Sequence, residues 1–427
     1  MLGINFSHDG SIVLINDGKI EYFIKAERLT GVKKDFINLE TLKTVLEGMT
    51  VSIDYVVLSS AVFSFENFRG NQTKQYISLI QQYLNCPIID YCDKHHLSHA
   101  AGAFYNSGFD KALVFAIDGG GSPHNKSLEC ESAFVAEYPS YIETLRQNYF
   151  PWLSNAKTLT DMSIVGLYCS ATTLIDQNIL ENGKTMGLAA YGSDQPTCDL
   201  FKSDFVMVPD NKSFFKWSFV LKGYENSISG DINTDNYKFY ADYAYQVQKQ
   251  TQDRVLAFVN EWVEKTNIHN VCMTGGYALN VVCNGYLIKK LPHVNFFFDP
   301  IADDTGNSIG AAMHFYRKKS GDMNIRPMQD TFFNGTQETL KDVGQPCTVD
   351  DIVELLKQQK TVAVFNGLAE AGPRALGNRS ILFDARNPNG KDIVNRIKKR
   401  EWYRPFAGMI LKDHFEEYFE THGWQQS

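Results

Sequence analysis

The chain has 427 residues, enough for two or three domains around a large core. Its 41 basic and 49 acidic side chains leave a net charge of −8, which disfavours a general nucleic-acid or anionic-membrane surface. No basic leader opens the sequence, no run approaches the ~18 apolar residues of a membrane span, and the eight cysteines never fall as CxxC. A cytoplasmic protein with reduced thiols is expected. Tight alternation over Leu2–Phe6, Ser11–Ile15 and Ile20–Ala26, with Asn16-Asp17-Gly18 as a turn, predicts a three-strand meander. A helix over Leu39–Leu46, a strand over Tyr55–Ser59, a helix over Gln75–Leu84 and a strand over Pro87–Tyr91 follow, the alternation of an α/β layered fold. The pattern restarts at Ala112–Ile117, which runs into Asp118-Gly119-Gly120-Gly121 and a strand over Ala133–Tyr138, so a duplicated architecture is predicted. Helices are expected over Ser163–Ile175 and Tyr240–Glu264, with a less regular stretch, Asp194–Asp235, between them. Two strand, glycine-turn, helix units come next, at Val271–Met273 and Val294–Phe298. Gly321–Asp350 is irregular, and Arg374–Arg404 holds nine basic residues against three acids, a +6 island in an acidic chain.

Three groups of residues have the composition of chemistry. In Lys94-His95-His96-Leu97-Ser98-His99, helical spacing puts His95 and His99 on one face, where both imidazoles can meet one ion. Strand-end carboxylates Asp118 and Asp304 complete a two-His, two-Asp set suited to Fe(II), Mn(II) or Zn(II); histidines that merely line a core are the alternative. The turns DGGG, TGGYALN and DDTGNSIGAA are candidate phosphate and nucleotide loops, since glycine admits close backbone approach and helix N-termini favour anions. Together they resemble the phosphate and adenosine segments of the actin, heat-shock-chaperone and sugar-kinase superfamily, with the meander at Gly3–Ser11 as the first phosphate turn. The basic island, through GPRALGNRS and KKREWYRPF, suits a small phosphate ligand, against the alternative of a solvated charged face.

In order, HDGS, AERLTGVKKD, HHLSHAAGAFYNSGF, IDGGG, ENGKTMGLAAYG, TGGYALN, DDTGNSIGAA, GPRALGNRSIL and KKREWYRPFA resemble the O-carbamoyltransferase family of nodulation-factor and antibiotic biosynthesis. The resemblance implies a duplicated actin-like domain over residues 1–335, similar to the threonylcarbamoyl-adenosine synthase module of tRNA modification. A partial α+β module over residues 350–427, of the carbamoyl-adenylate-forming type, would follow it. The implied activity is ATP- and metal-dependent transfer of a carbamoyl group from carbamoyl phosphate, via carbamoyl-adenylate, to a hydroxyl of a small acceptor, with Mg²⁺ on the ATP. Carried onto this chain, His95, His99, Asp118 and Asp304 would hold an iron-type metal, and His8 and Lys33 would lie near phosphates or acceptor. Asp9, Gly119, Gly120, Lys184, Gly187, Gly275, Gly276, Asn280 and Gly306 would line the nucleotide cleft, and Arg374, Lys399 and Arg404 would hold carbamoyl phosphate or the adenylate. Family members continue past RPFA with HVDGT-like and NTSFN-like motifs, whereas 77 residues follow Asp350 here, so the alternatives are a trimmed adenylate-forming half, one completed by a second polypeptide, or a broken gene. A kinase-like phosphotransferase and a non-catalytic nucleotide-binding subunit are the competing expectations.

Overall fold

A computed structural model describes residues 1–60, 66–151, 158–194, 198–210, 212, 217–228, 231–336 and 344–422. The N-terminal alternation folds as an antiparallel meander of β1 (Leu2–Asn5), β2 (Ser11–Asn16) and β3 (Lys19–Lys25). β4 (Val56–Ser59) and β5 (Ile88–Asp90) extend the other side of β1 in parallel, giving the order β3-β2-β1-β4-β5. Helices α1 (Ala26–Thr30), α2 (Leu39–Glu47) and α3 (Glu66–Tyr83) accompany this sheet.

The second half begins after α4 (His95–Ser107) with β6 (Lys111–Ile117), β7 (Pro123–His124), β8 (Ser127–Glu137) and β9 (Tyr141–Phe150). A separate antiparallel sheet joins β10 (Thr158–Leu159), β11 (Phe205–Pro209) and β12 (Trp217–Leu221). β13 (Asn270–Thr274) and β14 (Asn295–Phe298) then add to β6 in parallel. Read as β9-β8-β6-β13-β14, this sheet has two antiparallel pairings followed by two parallel ones, the same sequence of senses as β3-β2-β1-β4-β5. The duplication expected from the restarting pattern is therefore present in strand order and direction, and the fold is that of the actin, heat-shock-chaperone and sugar-kinase superfamily.

One expectation needs correcting. The less regular stretch, residues 194–235, contains the β11–β12 pair, whose Phe205 and Phe219 are buried in the core that α5 (Ile164–Asp176) and α7 (Tyr237–Thr266) share, with Val208 and Val220 buried as well. These strands are short and draw their stability from that packing, so local alternation signals them weakly.

α4 and α9 (Asn307–Ser320) lie between the two large sheets. Their shared core takes Val13, Phe23 and Val57 from the first sheet and Ala112, Val114 and Ala116 from the second. The crossing is made by small residues: Gly102 on α4 meets Gly310 on α9, and Gly310 also lies against the Ser98 carbonyl. The backbones touch at the crossing, where Gly310 Cα sits 3.6 Å from the Cβ position of Gly102. α6 (Asn182–Ala189) and α8 (Val281–Lys290) flank the second half.

Toward the C-terminus come α10 (Val349–Lys357), an antiparallel pair of β15 (Val362–Phe365) and β16 (Arg379–Leu382), α11 (Gly390–Ile397) and α12 (Phe415–Tyr418). Asn334 bridges Phe23 of β3 and Ala369, tying this region to the first sheet. Among the described residues no helix is long and apolar enough to cross a membrane.

Candidate metal and anion site

The helix that carries the histidine pair starts after β5, and its 3.6-residue period stacks His95 over His99. Their Nε2 atoms face each other at 3.2 Å, both side chains fully buried. Two acidic loops close on that point. Asp118, at the end of β6, brings Oδ2 to 3.5 Å from His95 Nε2. Asp304, in the 3₁₀ turn Asp304–Gly306 that feeds α9, brings Oδ1 to 3.3 Å from His99 Nε2 and 3.5 Å from His95 Nε2. One ligand atom from each of the four residues lies within 4.8 Å of the others.

These separations fit a cation. Bonds of ~2.1 Å place neighbouring ligand atoms ~3.0 Å apart in an octahedron and ~3.4 Å apart in a tetrahedron. Two imidazole nitrogens aimed at one another share at most one proton between them, and a buried Asp304 Oδ2 has no hydrogen-bond geometry to any group although His8 Nε2 is 3.2 Å away. Both features suit an ion at the centre of the set.

Electrostatics agree with the geometry. Burial pushes the Asp118 and Asp304 carboxyls up, but His95 at Asp118, and His8 followed by His95 at Asp304, outweigh it and hold both below the usual carboxylate range. Burial pulls His95 down, yet Asp304 and Asp118 lift it well above an ordinary histidine. His8 stays below its ordinary value because desolvation exceeds the pull of Asp304. Asp9, at φ 50°, and Asp303 are both raised to about 6, chiefly by burial.

The second carboxylate oxygen set builds outward into the glycine loops. Asp118 Oδ1 accepts from Gly276 N at 2.8 Å, and Oδ2 from Gly120 N at 3.4 Å, so DGGG and TGG meet at this residue. Gly275 adopts φ 81° with its Cβ position 2.5 Å from the Ile117 carbonyl, a place only glycine fills without strain. Gly119 follows Asp118 in the same loop, and Gly306 closes the Asp304 turn. Asn280 lies at the start of α8. It is buried, caps α8 by accepting from Cys283 N at 3.1 Å, and exchanges hydrogen bonds with Gln248.

Around the basic island, Arg374 donates to the Leu279 carbonyl at 2.7 Å, just beyond the TGGYALN loop. Its guanidinium is lowered by partial desolvation and then by the charge of Arg404, and Arg400 is lowered by the same two causes. Arg374 and Arg400 thus each lie within range of the Arg404 charge, while Arg404 pairs with Glu401 at 3.4 Å. Lys399 sits beside them at φ 49°. Lys184 bonds Asp176 at 2.9 Å and Glu401 at 2.7 Å, Gly187 packs on Pro405 and Tyr403, and exposed Lys33 reaches Glu181 at 3.3 Å. The Gly377 loop is already wrapped around an anion of its own: Glu370 Oε1 accepts from the backbone N–H groups of Leu376, Asn378 and Arg379.

Two contributors escape sequence reasoning. Asn307, the first residue of α9, is fully buried with Nδ2 3.2 Å from His99 Nε2 and 3.4 Å from His95 Nδ1. Its place one helical step after DDTG is the signal that was there to use. Arg400 belongs to the KKR run from which Lys399 was singled out.

Comparison with known proteins follows the same lines. The sequence matches the family described as Carbamoyltransferase N-terminus over residues 71–313 and Carbamoyltransferase C-terminus over residues 353–426. It is 27% identical to Nodulation protein NolNO of Sinorhizobium fredii over 97% of this chain and 64% of that protein. It is also 27% identical to the uncharacterized protein sll1178 of Synechocystis, over 98% and 77% of the two chains. Nodulation protein U of Sinorhizobium fredii is 22% identical over 98% and 81%. This chain therefore spans about two thirds of the length of NolNO. Among solved structures, full-length HypF in the phosphate- and nucleotide-bound form aligns with 75% of this chain and 56% of its own at 13% identity and a TM-score of 0.42. With its N-terminal match alone covering more than half of the sequence, the chain belongs to the carbamoyltransferase family.

Proposed function

We propose that the protein is an ATP- and metal-dependent O-carbamoyltransferase that moves a carbamoyl group from carbamoyl phosphate, through carbamoyl-adenylate, to a hydroxyl of a small acceptor. The observation that carries this reading is the convergence of His95, His99, Asp118 and Asp304 beside the glycine loops, with Arg374, Arg400 and Arg404 gathered at the far side of the same loops. A divalent metal held by those four residues, Fe(II) by preference, would supply Lewis acidity to the carbamoyl carbonyl. The chain's own groups do the rest. The three guanidinium groups bind phosphate oxygens, Lys33 adds a mobile positive charge, and Gly119, Gly120, Gly276 and Gly306 let the backbone approach the nucleotide. Asp9, Lys184, Gly187, Gly275, Asn280 and Lys399 belong to the frame of this cleft. His8, held uncharged by burial, takes the proton from the acceptor hydroxyl. Burial of His95, His99, Asp118 and Asp304 excludes water, which otherwise competes for an activated carbamoyl group.

The division at residues 335 and 350 belongs to this proposal: the larger part performs transfer and the smaller activates carbamoyl phosphate. The test is a nucleotide product assay with carbamoyl phosphate, ATP, Mg²⁺ and Fe(II), run with and without a polypeptide corresponding to the part of its relatives that this chain does not span. AMP and pyrophosphate that require carbamoyl phosphate are expected. ADP would instead indicate a phosphotransferase, and no nucleotide turnover in either arm would reduce the chain to a binding subunit.

A further inference from the structure

The helix that carries the candidate histidine ligands has no cap of its own. Lys94, at its N-cap, offers no side-chain hydrogen bond, and an uncapped α-helix leaves its first N–H groups unsatisfied. In the protein they are satisfied from another element. Glu129 on β8, 3% exposed, accepts with Oε1 from His96 N at 3.0 Å. The same oxygen accepts from Ser122 N at 2.9 Å, and Ser122 Oγ in turn accepts from His95 N at 3.1 Å. Oε2 is held by the Gln147 side-chain amide on β9. The backbone of Glu129 pairs with the same loop, its carbonyl accepting from Gly121 N and its N–H donating to the Ser122 carbonyl. Gly121, third glycine of DGGG, has its Cβ position 2.6 Å from the Glu129 side chain and 2.9 Å from the His96 ring, so a larger residue would push the loop off this carboxylate.

One buried carboxylate thus binds both the helix that presents His95 and His99 and the loop that begins at Asp118. Its neighbour Glu131 does comparable work for α5, accepting from Ile164 N at 2.8 Å. A cap serving only stability would need the helix alone. Glu129 instead fixes the helix N-terminus and the Asp118 loop to a common point, within four residues of three of the four candidate ligands. Resting on the metal-centre reading above, we infer that Glu129 is a positioning residue of that centre: it sets the register of α4 against the DGGG loop, and through it the distance between the histidine pair and Asp118.

The test measures Co(II) binding to the full chain by chelator competition, together with the visible absorption of the bound ion. It compares wild type, Glu129→Ala and Glu129→Gln. Loss of a group that orients metal ligands costs about 10- to 100-fold in metal affinity, so Glu129→Ala is expected to weaken binding by that factor and to change the absorption bands. Glu129→Gln keeps an acceptor oxygen for His96 N and Ser122 N once Gln147 turns its amide, and is expected to bind within about threefold of wild type. In the metal-free protein, the His96 amide should exchange slowly in wild type and Glu129→Gln and quickly in Glu129→Ala. Wild-type affinity and absorption in folded Glu129→Ala would overturn the inference. Should that variant not fold, Ser122→Ala, which removes only the acceptor for His95 N, is expected to weaken binding about two- to tenfold, and unchanged binding there would overturn it equally. A wild-type chain that binds no Co(II) would fail at an earlier and distinct point, removing the metal centre itself and the inference with it.

Discussion

Substituting Gly310 by alanine probes the feature on which the site most depends, the crossing of α4 and α9. A Cβ at position 310 would lie 2.8 Å from Gly102 N and 2.9 Å from the Ser98 carbonyl carbon, with the Ser98 oxygen closer than either. Ordinary contact begins at 3.4 Å, so α9 has to retreat from α4 by more than the about 0.6 Å that Gly102 N alone demands, and neither backbone can give locally. Overpacking of this kind costs about 1–3 kcal/mol. The retreat also separates ligands, because His95 and His99 ride on α4 while Asp304 and Asn307 open α9. Metal–ligand distances tolerate only ~0.2 Å, so Co(II) affinity should fall by more than tenfold even at temperatures where the protein stays folded. The control is Gly285→Ala in α8, where the added methyl meets nothing within 4 Å and helix propensity predicts a gain of about 0.5–1 kcal/mol. Thermal unfolding of the metal-free chain and chelator competition are the assays. A Gly310→Ala protein with wild-type midpoint and wild-type metal affinity would refute the crossing argument.

Further outcomes are expected. His99→Ala removes the nitrogen nearest Asp304 Oδ1 and should abolish stoichiometric Co(II) binding while leaving a folded chain by circular dichroism. Arg374→Ala should suppress AMP formation from carbamoyl phosphate and ATP with little change in metal content, since the guanidinium bonds Leu279 O and lies outside the ligand set. Asp322→Asn should destabilise the protein by about 3 kcal/mol, because it strips the carboxylate from Arg317, 1% exposed and enclosed by the rings of Tyr105, Tyr138 and Tyr316. The same pair sets an acid limb. Burial raises the Asp322 carboxyl, but its bonds to Asn324 N, Arg326 and Tyr316 hold it below the ordinary value of 3.8. Its stabilisation is complete above the unfolded value and is lost as pH falls through the lower folded one. Urea midpoints of wild type should therefore decline below pH 4 more steeply than those of Asp322→Asn.

The candidate ligands were legible for a physical reason. A helix converts i, i+4 spacing into a shared face, and a carboxylate at a strand end points where loops of a layered sheet converge, so His95, His99, Asp118 and Asp304 needed only the element types to be right. Residues whose role comes from register between distant elements were not legible. Asn280 was expected at the nucleotide, and its cap on α8 together with its bonds to Gln248 on α7, which fix the side chain, depends on how α7 and α8 pack. That Arg400 lies within charge range of Arg404 depends on the left-handed turn at Lys399 after α11, a single φ angle that the run of charges does not reveal. Glu129 lies outside the strand expected over Ala133–Tyr138, and its bond to the start of α4 comes from packing between distant elements.

The position of the centre explains why folding and chemistry are hard to separate here. Its ligands come from the helix between the sheets, from the end of β6 and from the turn before α9, and His8 reaches it from the meander of the first half. No single layer contains the site. The small residues that let α4 and α9 touch serve packing and ligand spacing at once, since the same crossing that fills the core brings Asp304 onto the histidine pair. A bound ion would then stabilise the folded state by mass action, because the unfolded chain has no preformed set of four ligands. Chelator should lower the unfolding midpoint of a metal-loaded wild type and leave that of His99→Ala unmoved, which makes thermal stability a readout of the centre that is independent of turnover.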